Sequence, residues 1–346
     1  MGRVKKSGSV VIASVRAFLL RWRIPASRTK NTNMTSTQPR AQQPAVSASS
    51  RRRDSSTVLV AGATGYIGRH TVRALHEAGY KVRALARNTR KLEPVADACD
   101  DVFVGEATRM ESLAGLCDGV DAVVSSLGVR TLRSRPTPEQ VDLHANLNVL
   151  HQAQSAGVQQ FVFVGVLNGD RLMSSTPILR PREQFVGELI NSGLTWTALR
   201  PNGSFNDMRE IFRLAERGWS VTLGDGTQRI NPVHPADIGQ MVVQSLTDTS
   251  LHNAQFGFGG PDTYSHREIA DLAADILGKP IRSVRVPAWP LDVLGTALYP
   301  VNRNAAGFLR FFRQVMSTDM IGAQIGTHRL VDFFRELRLA DAAKAN

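Results

Sequence analysis

Cysteine is scarce in this sequence of 346 residues, and its scarcity excludes several classes of protein. Two cysteines, Cys99 and Cys117, cannot build a disulfide framework or a cysteine-rich zinc site. Eight histidines are present, but they do not form the closely spaced groups that are typical of metal ligands. We therefore expect no metal centre, and we expect both cysteines to pack as small apolar side chains.

Long apolar runs are also missing. A helix that spans a membrane needs about 20 consecutive apolar residues, whereas the apolar stretch at 10–24 is interrupted by Arg16, Arg21 and Arg23. The sequence therefore predicts no transmembrane segment. A second apolar stretch, at 287–299, predicts a packed helix of a smaller C-terminal lobe; the alternatives are a substrate lid and a peripheral contact with a membrane surface.

Acidic residues are absent from the first 53 positions, which contain 12 lysines and arginines. Subtracting those 12 from the 42 basic residues of the whole chain leaves 30, against 30 acidic residues, so the net charge of +12 comes from this leader. The balanced remainder excludes a basic surface for nucleic acid. A leader rich in arginine, serine and threonine is typical of transit peptides, and we predict that residues 1–53 are a disordered leader for a chloroplast or mitochondrion. A plain disordered tail and translation from Met34 are the alternatives.

The stretch from Ser56 to Arg87 predicts a nucleotide-binding unit. An apolar, β-branched run at 57–61 predicts a buried strand. Three glycines follow, and the apolar period then becomes helical until a second strand at 81–86. A glycine-rich turn between a strand and a helix lets a pyrophosphate approach the free N–H groups of the helix N-terminus.

The end of the second predicted strand indicates which dinucleotide is bound. An NAD site has an acidic residue there for the ribose 2′-hydroxyl, but this chain has Arg87, with Arg90 and Lys91 just after it. Arginine suits a 2′-phosphate because it forms bidentate, charge-assisted hydrogen bonds. We therefore predict NADP(H) in preference to NAD(H). The alternative is a solvated arginine at the end of a strand.

Strands and helices continue to alternate as far as residue 201. Further strands are predicted at 101–104, 122–125, 161–166 and 195–200, and helices at 109–116, 138–156 and 182–191. This order predicts an α/β fold, a doubly wound parallel sheet of the Rossmann type, in residues 54–201. Residues 202–346 are predicted to form a smaller, mixed substrate lobe with some return to the sheet.

The residues that we predict to contact the cofactor lie in the glycine turn and at the carboxyl ends of the strands, where a doubly wound sheet binds its ligand. They are Gly62, Thr64, Gly65, Tyr66, Ile67, Gly68, Arg69, Arg87, Glu106, Ser125, Leu127, Gly128, Gly165, Val166 and Pro201.

The motif Gly62-Ala63-Thr64-Gly65-Tyr66-Ile67-Gly68-Arg69 resembles that of the extended and atypical short-chain dehydrogenase/reductases, especially the NmrA-like group. Shorter motifs extend the resemblance over residues 57–337, and the closing Asp332-Phe333-Phe334 is among them. Their order is similar to that of the chloroplast divinyl chlorophyllide 8-vinyl reductases. The resemblance implies an NADP(H) cofactor and a small apolar or conjugated substrate.

The chain departs from this family at the catalytic pair. Typical members use Tyr-x-x-x-Lys to protonate a carbonyl oxygen. Here Ile178 aligns with the tyrosine, Arg182 with the lysine, and Gly165 with a serine at the end of the fifth strand. One compatible function is an NADPH-dependent reductase of a conjugated C=C bond, with Arg182 as its charged catalytic residue. The other is a non-catalytic NAD(P)H-binding protein, like the NmrA-like regulators or an accessory subunit of respiratory complex I.

Overall fold

The structure is a computed structural model, and it describes residues 56–129 and 133–345 of the chain. The predicted leader at 1–53 lies outside the described residues. Those that are described belong to one compact unit.

Twelve strands are present in the described part of the chain. They are β1 (Thr57–Ala61), β2 (Lys81–Ala86), β3 (Asp101–Val104), β4 (Ala122–Ser125), β5 (Gln160–Val164), β6 (Thr195–Pro201), β7 (Trp219–Leu223), β8 (Arg229–Ile230), β9 (Ala254–Gly259), β10 (Tyr264–Ser265), β11 (Arg282–Val286) and β12 (Ala323–Gln324). Eight of them form one parallel sheet in the order β12-β9-β6-β5-β4-β1-β2-β3. The remaining four form two small sheets, β8 with β10 and β7 with β11.

The α-helices cover the faces of the large sheet and build the smaller lobe. They are α1 (Tyr66–Glu77), α2 (Asn146–Ser155), α3 (Gly169–Leu172), α4 (Arg180–Ile190), α5 (Phe205–Glu216), α6 (Pro235–Thr247), α7 (His266–Leu277), α8 (Trp289–Leu298), α9 (Arg303–Met316) and α10 (Leu330–Ala345). Short 3₁₀ segments lie at Thr89–Ala98, Met110–Leu113, Pro177–Leu179 and Thr249–Leu251.

Alternate residues of β1 show how the sheet is buried on both faces. Val58 and Val60 join a cluster with side chains of α1 and α6, whereas Leu59 and Ala61 join a second cluster with side chains of α2 and α4. Successive strand residues point to opposite faces, so a strand covered on both sides has to be apolar throughout. A third cluster, built largely from α5, α7 and α10, forms the core of the smaller lobe.

The strand register aligns the carboxyl ends around the middle of the sheet. Ala61 of β1 lies opposite Leu85 of β2 on one side and Ser125 of β4 on the other. The strand order reverses between β1 and β4, and a doubly wound sheet has its ligand crevice at such a point. The predicted fold class is therefore confirmed.

Two predicted helices differ from the structure. Residues 109–116 were expected to be helical, but only Met110–Leu113 form a short 3₁₀ turn, and Gly115 then takes a positive φ of 79° that ends it. The helix expected at 138–156 has two parts: Glu139–Ala145 is a widened π-helical segment, and α2 is a regular α-helix. The side chain of Asn146 contacts the widened segment: its Nδ2 donates hydrogen bonds to the backbone oxygens of Val141 and Asp142.

The residues after 201 both return to the large sheet and build the lobe. β9 pairs with β6, and β12 pairs with β9, so the C-terminal half extends the sheet at one edge. Within the two described segments, no helix has the length and apolar character required to cross a bilayer.

Candidate dinucleotide site

In the turn after β1, the backbone at Gly62 lies very close to the backbone of the first turn of α1. Gly62 has a φ of 91°, and its carbonyl oxygen accepts a 2.8 Å hydrogen bond from the N–H of Gly65. A Cβ atom at Gly68 would stand 2.1 Å from that same oxygen, so no other residue fits there without moving the turn. The first turn of α1 therefore packs directly on the end of the strand.

The N-terminus of α1 follows the glycine turn directly. No side chain caps it at Gly65, and its first turn contains no acidic residue. The first N–H groups of a helix have no partner within the helix, and the helix dipole places a partial positive charge there. This end of the crevice therefore fits an anionic group such as a pyrophosphate.

A basic pocket lies beside the helix terminus. Its cavity measures about 270 Å³, and Thr64, Arg87, Asn88 and Lys91 line it. Arg69 contacts the backbone of one lining residue, because its Nη2 donates a 3.0 Å hydrogen bond to the backbone oxygen of Lys91. Two cations face a cavity that follows the end of β2, which is the position of the adenosine ribose in dinucleotide-binding folds.

Glu106 holds the most important of these cations in place. Its Oε2 lies 3.1 Å from Nη1 of Arg87, and the Arg87 side chain is still 66% exposed. The carboxylate therefore orients the guanidinium while leaving most of its surface open to a ligand.

Arg87 is the residue that we expect to decide the choice of cofactor. Losing its charge-assisted hydrogen bonds costs about 1.5–3 kcal/mol, so Arg87→Asp is expected to weaken NADPH binding roughly ten- to a hundredfold. NADH affinity should change much less, because NADH lacks the 2′-phosphate. Titration with each nucleotide measures the difference between NADPH and NADH affinity. The control Arg213→Asp makes the same charge change on the exposed side of α5 and should leave both affinities unchanged. Equal affinities for NADPH and NADH in the parent protein would contradict the prediction.

The other half of the crevice is formed by the end of β4 and the residues after it. Ser125 is fully buried, and its Oγ lies 2.5 Å from Oδ1 of Asn146. The Leu127 N–H donates to the same Oγ at 3.4 Å. These hydrogen bonds fix the backbone at the end of β4. The predicted contacts Ser125, Leu127 and Gly128 lie together there.

Arg182 lies against the backbone after β4 and pairs with the buried Asp142. Its Nε donates a 2.7 Å hydrogen bond to Oδ1 of Asp142, and its Nη2 donates to the same oxygen. The Arg182 and Asp142 side chains are 15% and 5% exposed. A Cβ atom at Gly128 would stand 2.0 Å from Arg182 Nη2, so the guanidinium sits on the backbone at the end of β4. Asp142 also accepts from the Val129 N–H, at 2.9 Å.

A second buried ion pair involves the next residue of α4. Arg200 near the end of β6 and Glu183 in the first turn of α4 are each 6% exposed, and Arg200 Nη2 donates to Glu183 Oε2 at 2.6 Å. Arg200 Nη1 also donates to the backbone oxygen of Val166, at 3.2 Å. The pair anchors α4 to the ends of β5 and β6, where the predicted contacts Gly165, Val166 and Pro201 lie.

Sequence reasoning did not find Asp142, Glu183 or Arg200. Arg200 carried a usable signal, because an arginine inside an apolar strand requires a buried partner. Asp142 and Glu183 carried none, because charged residues in the first turn of a helix are ordinary surface residues. The structure brings the predicted cofactor residues to one edge of the sheet, and their contact with a cofactor remains a prediction.

Histidines from three elements meet beside α1. The ring of His70 lies 5.5 Å from that of His234, and the ring of His328 stacks on His234 at 4.3 Å. His328 Nδ1 is 2.8 Å from Oδ1 of the buried Asp237. Burial and the nearby His328 and His70 lower the pKa of His234 to about 4, against a raising effect of Asp237. Burial also lowers the pKa of His70. No set of side chains in the described ranges forms a metal site.

We expect this histidine cluster to make the protein sensitive to acid. The unfolded chain binds a proton at His234 near pH 6.5, whereas the folded chain binds it only near pH 4. The contribution of neutral His234 to the free energy of unfolding is therefore fully present above pH 6.5, and it is lost as the pH falls from 6.5 to 4. Urea unfolding across that range measures the slope. His234→Asn keeps an acceptor for the Ala236 N–H and should flatten the slope, while His144→Asn, at an exposed position, should not. Identical slopes in all three proteins would refute the assignment.

The fold and the site together define a dinucleotide-binding α/β protein. The chain belongs to the NAD(P)H-binding family, whose sequence model matches residues 62–249. This membership confirms the predicted relationship to the NmrA-like, atypical short-chain dehydrogenase/reductases.

Two curated relatives and one solved structure illustrate the family. Photosystem II assembly factor Ycf39 of Cyanophora paradoxa is 26% identical over 245 residues, which cover 68% of this chain and 74% of that protein. The chloroplastic divinyl chlorophyllide a 8-vinyl-reductase of Oryza sativa subsp. indica is 28% identical over 294 residues, covering 77% of this chain and 71% of that one. The NADPH complex of the quinone oxidoreductase QOR2 of Escherichia coli has a TM-score of 0.65 at 19% identity, covering 81% of this chain and 99% of that chain, and it supports the fold.

Proposed function

We propose that this protein is an NADPH-dependent reductase of a small, apolar and conjugated substrate. The observation that carries the proposal is the pairing of a dinucleotide crevice with a mostly buried arginine at its far end. The basic pocket at Arg87 and Lys91 and the uncapped terminus of α1 lie at one end. The Arg182–Asp142 pair lies at the other, at the end of β4.

The residues present fit NADPH. The glycine turn is tightly packed, since Cβ atoms at Gly62 and Gly68 would clash with Ser126 and with the Gly62 backbone. It would present the N-terminus of α1 to the pyrophosphate. Arg87 and Lys91 would hold the 2′-phosphate. When bound, NADPH supplies a hydride. The protein supplies orientation, and the buried end of β4 excludes water from the reacting end of the crevice.

The side chains near Arg182 favour a C=C bond over an ordinary carbonyl. Ile178 stands at the family's tyrosine position, and no tyrosine in the sequence is followed four residues later by lysine, so the usual pair that protonates an alkoxide is missing. Ile178 packs against α9 within 3.0 Å of where a Gly307 Cβ would be. Reduction of a conjugated C=C bond forms a delocalised anion, and a fixed guanidinium stabilises such charge without donating a proton.

A panel of electron-deficient substrates tests the proposal. We expect the purified protein to oxidise NADPH in the presence of a divinyl chlorophyllide or a simple conjugated enone, and to reduce a saturated ketone poorly. The product should carry one hydride from the nucleotide and one proton from water. NADPH binding without turnover of any conjugated acceptor would refute the reductase assignment and would leave the binding site standing.

A non-catalytic function is the second candidate, and a specific contact favours it. Two of the donor groups of Arg182, Nε and Nη2, are already occupied by Asp142. A relative named as a photosystem II assembly factor is similar over 68% of this chain. In this alternative the protein binds NAD(P)H to stabilise a conformation that a partner recognises. Pull-down from a chloroplast extract with and without NADPH distinguishes it, since only this alternative requires a nucleotide-dependent partner.

We propose that the protein is located in the chloroplast. The acid-free leader and the chloroplastic relatives support an organellar location. A fusion of residues 1–53 to a fluorescent reporter should enter the plastid, and a mitochondrial or uniform cytosolic signal would contradict this.

A further inference from the structure

Helix α8 is apolar but poorly covered. Its sequence, Trp-Pro-Leu-Asp-Val-Leu-Gly-Thr-Ala-Leu, has one charged residue, and its single buried residue is Gly295. Gly295 faces α9, because a Cβ atom there would be in ordinary van der Waals contact, at 3.5 Å, with the backbone oxygen of Ala306. The helix is thus covered on the side that faces α9, and Trp289 and Val293 are 61% and 60% exposed.

Exposed apolar side chains concentrate in this pair of helices, residues 289–316, which we call the α8–α9 hairpin. Across the described residues twelve large apolar side chains are exposed, and five of them lie between 289 and 312. They are Trp289, Val293, Tyr299, Val301 and Phe312. Val301, in the connection between the helices, is 80% exposed. Single exposed apolar residues are ordinary, but their concentration in one pair of helices points to a binding surface.

The charges around the hairpin are almost all positive. Between Arg282 and Thr318 the sequence has five arginines and one acidic residue, Asp292. Asp292 is already paired, with Arg313 Nε at 2.8 Å. Arg303 and Arg310 each stand 5.5 Å from the ring centroid of Tyr299, at the tip of the hairpin. The tip therefore combines exposed apolar groups with two arginines that pair with no acidic residue among those described.

We propose that the α8–α9 hairpin docks on a bilayer surface that contains anionic lipids. Tryptophan, tyrosine and arginine are the side chains that settle at the headgroup level, with apolar neighbours reaching the acyl boundary. Arginines at the tip would bind lipid phosphates by Coulomb attraction and hydrogen bonds. A second copy of the chain fits poorly, because a twofold interface would place these arginines against the same arginine-rich patch.

The hairpin adjoins the candidate site. Asn304 Nδ2 donates to the backbone oxygens of Arg133 and Pro136, at 2.8 and 2.9 Å, which ties α9 to the segment after β4. Docking would therefore bring the crevice close to the lipid. The inference itself rests on the hairpin alone and does not depend on the proposed reductase activity.

Sedimentation with vesicles tests the proposal on the full chain. Binding to mixed phosphatidylcholine–phosphatidylglycerol vesicles should exceed binding to pure phosphatidylcholine. The triple variant Trp289→Ser, Val293→Ser, Val301→Ser should lose roughly tenfold or more in partition coefficient, as should Arg303→Gln with Arg310→Gln. Matched controls carry the same changes elsewhere: Val104→Ser and Leu339→Ser at exposed apolar positions, and Arg213→Gln on α5. The basic leader is common to all these proteins, so differences in vesicle binding between them measure the contribution of the hairpin.

A second measurement separates insertion from simple attraction. Brominated lipids should quench the fluorescence of the parent protein more than that of Trp289→Phe. Circular dichroism of each variant should match the parent, because Trp289, Val293, Val301 and Arg303 are exposed and Arg310 is only partly buried. Equal vesicle binding by the parent, hairpin variants and controls would overturn the proposal. So would a parent dimer that the triple variant converts to a monomer without any change in lipid binding.

Discussion

Arg182→Ala is expected to destabilise the fold as well as impair any activity. The substitution leaves Asp142 buried without its cation, and such an unpaired charge typically costs about 3–5 kcal/mol. We therefore expect the midpoint of urea unfolding to fall sharply, or the variant to be insoluble. This outcome differs from that of an exposed first-turn arginine, for which truncation to alanine would change stability little. Denaturant titration of the purified variant measures the loss.

A charge-neutral pair of substitutions separates the structural role from the catalytic one. Arg182→Met together with Asp142→Asn removes both charges and keeps an amide oxygen to accept from the Val129 N–H. Replacing a buried ion pair by uncharged groups of similar size is often close to neutral for stability. If Arg182 stabilises charge in the transition state, kcat/KM should fall roughly ten- to a hundredfold while NADPH binding persists. A stable double variant with full activity would make Arg182 a structural residue.

Gly68→Ala is expected to abolish tight binding of the dinucleotide. Its Cβ atom would stand 2.1 Å from the Gly62 carbonyl oxygen, far inside contact distance, and that oxygen belongs to backbone, which has little room to yield. The turn must move away from α1, which displaces the backbone N–H groups that would contact the pyrophosphate. Losing hydrogen bonds to a charged group costs about 1.5–3 kcal/mol, or roughly ten- to a hundredfold in affinity. Overpacking of this kind also costs about 1–3 kcal/mol of stability.

Gly187→Ala is the matched control for this prediction. Gly187 lies within α4, and a Cβ atom there would meet nothing within 4 Å. Alanine is the better helix former by about 1 kcal/mol, so the control should be neutral or stabilising. Calorimetric titration of NADPH against both variants measures the difference. Unchanged affinity in Gly68→Ala would mean that the glycine turn does not hold the pyrophosphate.

Much of the nucleotide-binding half was predictable because its information is local. The run from β1 through the glycine turn to α1 and β2 is set by neighbours in the chain: apolar alternation, glycines at tight positions, and the period of a helix. Arg87 was placed correctly at the end of β2 for the same reason. Gly79, with a φ of 85°, ends α1 where a left-handed residue is needed.

The sequence by itself thus determined the fold class, the position of the glycine turn and the basic end of the crevice. Only the tertiary structure decided how the other end is built. Asp142 and Arg182 are 40 residues apart, and their pairing depends on how the widened helical segment before α2 meets α4. The exposure of α8 is decided in the same way, because an apolar helix looks identical in sequence whether its second face is covered or bare. Local pattern specifies which face of an element is apolar, whereas the packing of distant elements decides what that face contacts.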